Sequence, residues 1–188
     1  LVYLGLWQVD RAQQQSALLE AQRAMVDSPW RALGDLPTPP PLGMPVRLNG
    51  RYLAEPAMLV ERRRPDGVGG FEVLGAFHDE VSNQAVIVHR GFVATSSASG
   101  ALPIVPRIVD QQEVLGHIFV KASARTEVPR DVEDSRIVPL ADSALLEQRL
   151  GRPLYPYMVR LGVDDANALR TRWSEADVFP GKHIGYAV

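Results

Sequence analysis

Apolar and polar residues alternate along the middle of the chain, in short runs separated by glycine, proline and charged residues. The run 46–52 (VRLNGRY) alternates in this way from Val46 to Tyr52, which is the period of a half-buried strand. Four more runs have the same strand character, at residues 57–64 (AMLVERRR), 71–77 (FEVLGAF), 84–93 (QAVIVHRGFV) and 114–124 (VLGHIFVKASA). The glycines of GVGG, residues 67–70, predict a hairpin turn between two of them.

The C-terminal third contains one more predicted strand, residues 154–161 (LYPYMVRL). It includes Pro156, and a proline in a strand favours an edge position or a bulge. Residues 95–106 (TSSASGALPIVP), between two of the central strands, predict a long exposed loop.

Helix signals lie on both sides of the strands. Residues 7–26 are rich in helix formers without glycine or proline, and predict a mostly solvated helix that ends at residues 27–29. Asp142 is predicted to cap a short helix through Leu150, with Gly151 as its stop. The fold class predicted is α+β, with a strand-rich antiparallel sheet or barrel-like core, an N-terminal helix and one or two short helices.

These patterns divide the chain into four segments. They are an N-terminal helix at 1–28, a proline-rich linker at 29–45, a strand-rich domain at 46–181 and a short C-terminal segment at 182–188. The chain begins LVYL without methionine and ends in the apolar run IGYAV. Two interpretations of these ends stay open: stubs of two removed membrane helices, or terminal segments packed on the core.

Composition narrows the classes of partner and chemistry. The chain has 188 residues, of which 46% are apolar and 22% are charged, as expected for one folded domain. A net charge of −2 argues against binding to nucleic acid. The absence of cysteine excludes disulfides and thiolate metal sites. No run of 18 or more apolar residues exists, so no membrane span is predicted within the sequence.

The sequence offers little support for catalysis. GVGG lacks the Lys and Ser/Thr of a phosphate loop, and the serines at 96, 97 and 99 lack a nucleophile elbow. The chain has four histidines, at 78, 89, 117 and 183, and none has the spacing of a zinc site. His78, beside Asp79 and Glu80, is predicted to lie in a turn. We therefore predict that the protein is not an enzyme. His183 differs in preceding an apolar segment, where one imidazole is enough to ligate a haem iron, although a buried structural histidine is the alternative.

Five separated motifs are similar, in order, to those of the Surfeit locus protein 1 family. LGLWQVDR at 4–11 resembles the family's LGxWQxxR signature, and FPGKHIGYAV at 179–188 resembles its closing PxxHxxYAxxWF motif. Between them, VRLNGRYL, GVGGFEVLGAF and AVIVHRGFV resemble its strand motifs. The resemblance covers nearly the whole chain.

This resemblance implies a protein of the inner membrane with two spans and a large periplasmic domain, or a domain in the intermembrane space if mitochondrial. The family assists assembly of haem-copper (cytochrome c) oxidase, above all by handling haem a for the catalytic subunit. The partners implied are that subunit, the haem a synthesis machinery and the membrane. The two chain ends are then expected to be stubs of the two spans, and haem a is expected to bind poorly without them.

Matching the motifs residue by residue implies a haem site near the membrane surface. His183 matches the histidine thought to ligate the haem iron, and Trp7, Arg11, Arg90 and Tyr186 match further motif positions and are expected to contact the cofactor. Trp7 and Tyr186 are amphipathic aromatics that suit headgroup depth. Arg11 or Arg90 would pair with haem propionates. In the alternative interpretation both arginines only tie a strand to a helix.

The sequence departs from the family pattern at a few positions. His89 replaces the usual Asn, Phe92 the usual Trp, and Gly75 and Ala76 a common Thr-Pro. Two other functions remain open. One is an interaction scaffold that binds oxidase subunits without a cofactor, and the other, with the least support, is a periplasmic enzyme.

Overall fold

The computed structural model describes residues 20, 24–25, 27–53, 56–63, 67–95, 102–121, 136, 143–162 and 165–169. The strands and the helix in this part of the chain are, in order, β1 (Arg31–Ala32), β2 (Pro45–Tyr52), β3 (Met58–Arg63), β4 (Gly69–Asp79), β5 (Gln84–Ala94), β6 (Gln111–Lys121), α1 (Ser143–Leu150) and β7 (Tyr157–Leu161). A 3₁₀ turn at Leu33–Asp35 follows β1.

Five of these strands close into a small barrel. Neighbouring strands follow the order β2–β6–β7–β5–β4, and β4 pairs back with β2 from Gly50↔Asp79 to Tyr52↔Phe77. β1 and β3 extend the sheet beyond β2 and β4. Closure gives the barrel strands a neighbour on both sides, which removes the exposed edges of an open sheet.

Each of the five barrel strands contributes apolar side chains to the interior. Alternate residues point inward, as in Val46 and Leu48 of β2 or Val86 and Val88 of β5. The buried cluster consists of Leu33, Met44, Val46, Leu48, Phe77, Val86, Val88, Val114, Ile118, Val159 and Leu161. Side chains therefore fill the middle of the barrel, and any cavity must lie at its ends.

Two further apolar clusters lie outside this interior. Leu146 of α1 is fully buried, so the helix covers an outward face formed by Met58, Val60, Leu74, Ala76, Ile87 and Met158. On the opposite face of β3 and β4, a smaller cluster of Leu59, Phe71 and Val73 is packed against Leu102, Val105 and Leu169.

The predicted fold class is confirmed: the domain is α+β, with a strand-rich, barrel-like core and few helices. The short helix through Leu150 is present, and Gly151 follows it at a φ of 63°, a left-handed conformation that suits a helix stop. β3 and β4 are antiparallel neighbours, as the predicted hairpin requires, but Gly69 and Gly70 of the GVGG segment belong to β4, and residues 64–66 of the connection lie outside the described residues.

Three local predictions were wrong or incomplete. Pro156 does not mark an edge strand, because β7 lies between β5 and β6, but the alternative of a bulge agrees with a register shift directly after it, where Val159 pairs with Ile118 and Tyr157 with Lys121. β7 also runs parallel to β5, and β1 runs parallel to β2. His78 was placed in a turn but lies in β4, opposite Ala85 of β5.

The structure describes only part of the predicted N-terminal helix. Glu20, Ala24 and Met25 are helical, and the helix ends where predicted, because Ser28 donates from N and Oγ to the Met25 carbonyl at 3.2 and 2.7 Å. The rest of the predicted helix at 7–26 lies outside the described residues. No helix within the described residues is long and apolar enough to cross a membrane.

Candidate functional site

A β-bulge in β5 places Arg90 at one end of the barrel. Gly91 pairs with Val73 and His89 pairs with Leu74, so Arg90 is an extra residue between two successive pairs. Bulges re-aim side chains, and this one turns the guanidinium towards the open end of the barrel interior. We refer to this end, where Tyr52, Gly75 and Arg90 meet, as the barrel mouth.

Arg90 ties two loops across the barrel mouth. Its side chain is buried, with only 5% exposed. Nη1 donates to the Pro106 carbonyl at 3.1 Å and Nε donates to the Asn167 carbonyl at 3.3 Å. Its backbone carbonyl accepts a hydrogen bond from the Leu169 amide at 2.7 Å. Residues 106 and 165–169 are thereby fixed to the bulge of β5.

Tyr52 forms the second part of the barrel mouth. Its ring packs edge-on against Phe77, with centroids 5.1 Å apart, and the Arg90 guanidinium lies 5.6 Å from the ring centroid. The position opposite the ring must be Gly75, because a Cβ there would lie 2.8 Å from Cε1 of Tyr52. The departure from the family pattern at residue 75 thus has a local explanation in the packing of this ring.

Burial has the largest effect on the pKa values of Tyr52 and Arg90. Burial raises the pKa of Tyr52, and the nearby positive charge of Arg90 only partly opposes the rise. Burial also lowers the pKa of Arg90, while Tyr52 and Asp165 act in the opposite direction. Guanidinium remains protonated throughout the physiological range. The barrel mouth therefore holds a neutral phenol beside a fixed positive charge.

A cavity of about 340 Å³ opens beside these residues. Its described lining includes three arginines, Arg90, Arg107 and Arg136, and no carboxylate. The remaining described lining residues are Tyr52, Leu53, Pro56, Ala57, Leu59, Gly75, Ala76, Pro103, Val105, Pro106 and Ile108. Part of the predicted exposed loop, 95–106, thus forms a cavity wall. We call this space the barrel-mouth cavity; both cationic and apolar side chains line it.

A second polar cluster lies on the outer face of the barrel, away from this cavity. The register places Arg160 of β7 beside both His89 and His117. His89 is buried with Nε2 3.7 Å from Oε2 of Glu72, and the Arg160 guanidinium lies 3.4 Å from the Phe119 ring centroid. Burial lowers the pKa of His89, although Glu72 partly offsets this effect.

The structure describes one of the five site residues predicted from the sequence. Arg90 is the described residue, whereas His183, Tyr186, Trp7 and Arg11 lie outside the described part of the chain. Among the described residues, no group of three or more His, Asp or Glu side chains could hold a metal ion.

Sequence reasoning missed the functional potential of Tyr52, Arg107 and Arg136. Tyr52 stood in a quoted strand motif, and its place at the end of an inward-facing row was the available signal. Neither Arg107 nor Arg136 lies in a described helix or strand, so no periodic pattern pointed to their meeting at a cavity.

A closed barrel with a cavity at its mouth is the geometry of a binding domain. The model of the SURF1 family matches residues 1–188, the whole chain, and the chain therefore belongs to the SURF1 (Surfeit locus protein 1) family. The family is associated with cytochrome oxidase assembly, is generally membrane-associated, and consists of assembly factors rather than catalysts. A search of curated proteins gave no match.

Proposed function

We propose that this protein is a membrane-anchored assembly factor that binds haem a and delivers it to the catalytic subunit of a haem-copper oxidase. Haem a is the cargo in this proposal. His183 supplies the imidazole that ligates the iron, at the membrane surface on the periplasmic side, with Trp7 and Tyr186 at headgroup depth beside it.

The observation that carries this proposal is the family match over all 188 residues. It extends across the closing motif FPGKHIGYAV, which contains His183 and Tyr186, and across the opening motif with Trp7 and Arg11. A family associated with oxidase assembly needs no turnover chemistry, and a histidine beside an apolar segment is a suitable axial ligand for an apolar macrocycle.

Within the proposal, Arg90 acts mainly by holding the barrel mouth together. Two of its five N–H groups donate to the carbonyls of Pro106 and Asn167. A propionate contact would have to use the remaining N–H groups, which belong to a side chain only 5% exposed. Arg11 is therefore the better partner for a propionate, and Arg90 positions the domain that surrounds it.

The test is haem a binding by the full-length protein in membranes or detergent. The protein is reconstituted with haem a, and the Soret band is compared between the unchanged chain, His183→Ala and the control His78→Ala, which lies in β4. We expect the band to shift or disappear only in His183→Ala. A Soret band that His183→Ala leaves unchanged would eliminate His183 as the ligand.

A second candidate is an interaction scaffold that binds oxidase subunits without cofactor. Two exposed apolar residues favour it: Ile104 and Val109 are 96% and 73% exposed, on the segment that contributes to the cavity wall. Oxidase haem a content in cells that carry His183→Ala separates the two functions. Normal content would favour the scaffold, and content that falls with His183→Ala but not with Ile104→Ser would favour haem delivery.

A further inference from the structure

We propose that the barrel-mouth cavity binds a carboxylate carried on a short apolar body, as found at the C-terminal end of an extended peptide or in a small organic acid. This proposal does not use the haem site proposed above. It rests on the described lining of the cavity, and His183 is not part of that lining.

Charge is the first argument for an anionic ligand. Three arginines and no Asp or Glu occur among the described lining residues, so this lining is cationic, although the nearby Asp165 offsets part of the charge of Arg90. Arginine is the side chain best suited to carboxylates, because its planar fork presents parallel N–H donors. Arg136 is half-buried, and a half-buried guanidinium binds an anion more strongly than an exposed one, since less water competes for it.

The apolar wall is the second argument, and it favours an organic carboxylate over a bare anion. Leu53, Ala57, Leu59, Val105 and Ile108 form much of the lining. An inorganic anion would leave this wall without a partner, whereas a short aliphatic body would cover it. The volume of about 340 Å³ lies near the lower end of the range of ~300–1,000 Å³ for small-molecule sites. The occupant is therefore a few residues or a short acid.

The third argument is the hydroxyl of Tyr52, which is buried without a hydrogen-bond partner among the described residues. Such a group is costly to leave unsatisfied. Because burial raises the pKa of Tyr52, the hydroxyl stays protonated and can only gain by donating to an acceptor. A ligand carboxylate bound in the barrel-mouth cavity, which Tyr52 lines, would provide one.

The site is also held in place before any ligand binds. Arg90 fixes Pro106, next to Arg107, and the Leu59 amide donates to the Arg136 carbonyl at 2.8 Å, which anchors Arg136 beside β3. The arginines thus come from three separate segments, each tied to the barrel. Preorganisation of this kind lowers the entropic cost of binding.

The test titrates the 188-residue chain with defined probes. The probes are N-acetyl leucyl-alanyl-valine with a free carboxylate, the same tripeptide as its amide, hexanoate and inorganic phosphate. Binding is followed by calorimetry and by amide chemical shifts in NMR spectra. We expect the acid tripeptide to bind saturably, the amide at least ~10-fold more weakly because a charge-assisted hydrogen bond is lost, and phosphate more weakly than the acid.

Variants locate the site. Arg107→Gln combined with Arg136→Gln is expected to weaken binding of the acid at least ~10-fold, whereas Arg152→Gln, a loss of charge outside the lining, should leave it unchanged. Tyr52→Phe keeps the ring and removes only the unpartnered hydroxyl. It should weaken binding ~3–10-fold without lowering the free energy of unfolding.

Several results would overturn the proposal. Equal affinity of the acid and amide tripeptides would contradict it, as would tighter binding of phosphate than of the acid, or the absence of binding by any carboxylate. The double variant Arg107→Gln/Arg136→Gln and the control Arg152→Gln would also contradict it by changing the affinity for the acid equally. Shift changes away from Ala57, Gly75 and Val105 would also overturn it, and this readout needs no variant to fold. Tighter binding of the tripeptide than of hexanoate would indicate a peptide end, and the reverse a free acid. Haem a is absent from the test, so its outcome does not depend on the proposed haem function.

Discussion

Replacing Arg90 by methionine should destabilise the domain far more than replacing a surface arginine. Methionine has a similar length and fills similar space, but it donates no hydrogen bond. The carbonyls of Pro106 and Asn167, which accept from Arg90 at 3.1 and 3.3 Å, would lose their charged donor where the chain crosses the barrel mouth.

The magnitude follows from the contacts of Arg90. A hydrogen bond to a charged group contributes ~1.5–3 kcal/mol, and Arg90 makes two with backbone carbonyls. Its cation–π contact with Tyr52, 5.6 Å from the ring centroid, adds ~0.5–2 kcal/mol. Methionine packing and release from the cost of burying a charge recover part of this sum. We expect Arg90→Met to lower the free energy of unfolding by ~3–5 kcal/mol, and Arg90→Lys, which cannot reach both carbonyls, by about half as much.

Equilibrium urea unfolding followed by circular dichroism measures both losses. The matched control is Arg47→Met on β2, because Arg47 is half exposed and its ion pair with Glu113 spans 3.7 Å. Exposed pairs of this kind contribute ~0–1 kcal/mol. If Arg90→Met and Arg47→Met fell within ~1 kcal/mol of each other, the role assigned to Arg90 in holding the barrel mouth would be refuted.

Three further predictions concern other parts of the domain. Gly91→Ala should lower the free energy of unfolding, measured in urea, by ~1–3 kcal/mol. The reason is that Gly91 has a φ of 131° and that a Cβ there would lie 2.5 Å from the Leu169 carbonyl oxygen. A gain in stability would contradict this. Leu146→Ala should lower the free energy of unfolding by ~2–5 kcal/mol in the same assay, because Leu146 is fully buried. The control Gln148→Ala, at an exposed position, should lower it by ~0.5 kcal/mol or less. Equal losses would contradict the packing of α1 against the barrel. Burial lowers the pKa of His89 below its unfolded value of about 6.5, so the unfolded chain takes up the proton first as pH falls. The free energy of unfolding should therefore fall from pH ~7 through 6.5 towards the folded pKa, and His89→Asn should flatten this slope; an unchanged slope would contradict it.

The fold was predictable wherever a local pattern had one physical explanation. The alternation in β2 and the apolar run of β5 are strand signals because one side of each strand faces the barrel interior. Gly151 was a usable helix stop for a similar local reason: a left-handed residue there suits glycine.

The pairing of strands was harder to predict, because periodicity carries no information about neighbours. β7 reads as an apolar strand with a proline near its start, and this is compatible with an edge or a central position. Its parallel pairing with β5 depends on where residues 122–156 bring the chain back, which is a tertiary property. The same limit explains why the barrel closure through β2 and β4 was not specified in advance.

The barrel-mouth cavity was not predictable for a similar reason. Arg90 was identified through a family motif, but its orientation depends on a bulge that only the pairing of β4 and β5 reveals. Arg107 and Arg136 are distant from Arg90 in sequence, and neither lies in a described helix or strand. Whether such distant arginines line one cavity depends on how the loops pack, and the pattern of hydrophobic residues gives no information about loop packing.

β7 lies between β5 and β6, although it follows both of them in the chain. During synthesis, β2 to β6 therefore leave the ribosome before the strand that must be inserted between two of them. Until residue 161 has emerged, β5 and β6 each lack one partner, and unpaired strands readily associate with other nascent chains. Translation arrested before residue 157 should thus yield an aggregation-prone intermediate, which gives chaperones or rapid elongation a specific interval in which to act.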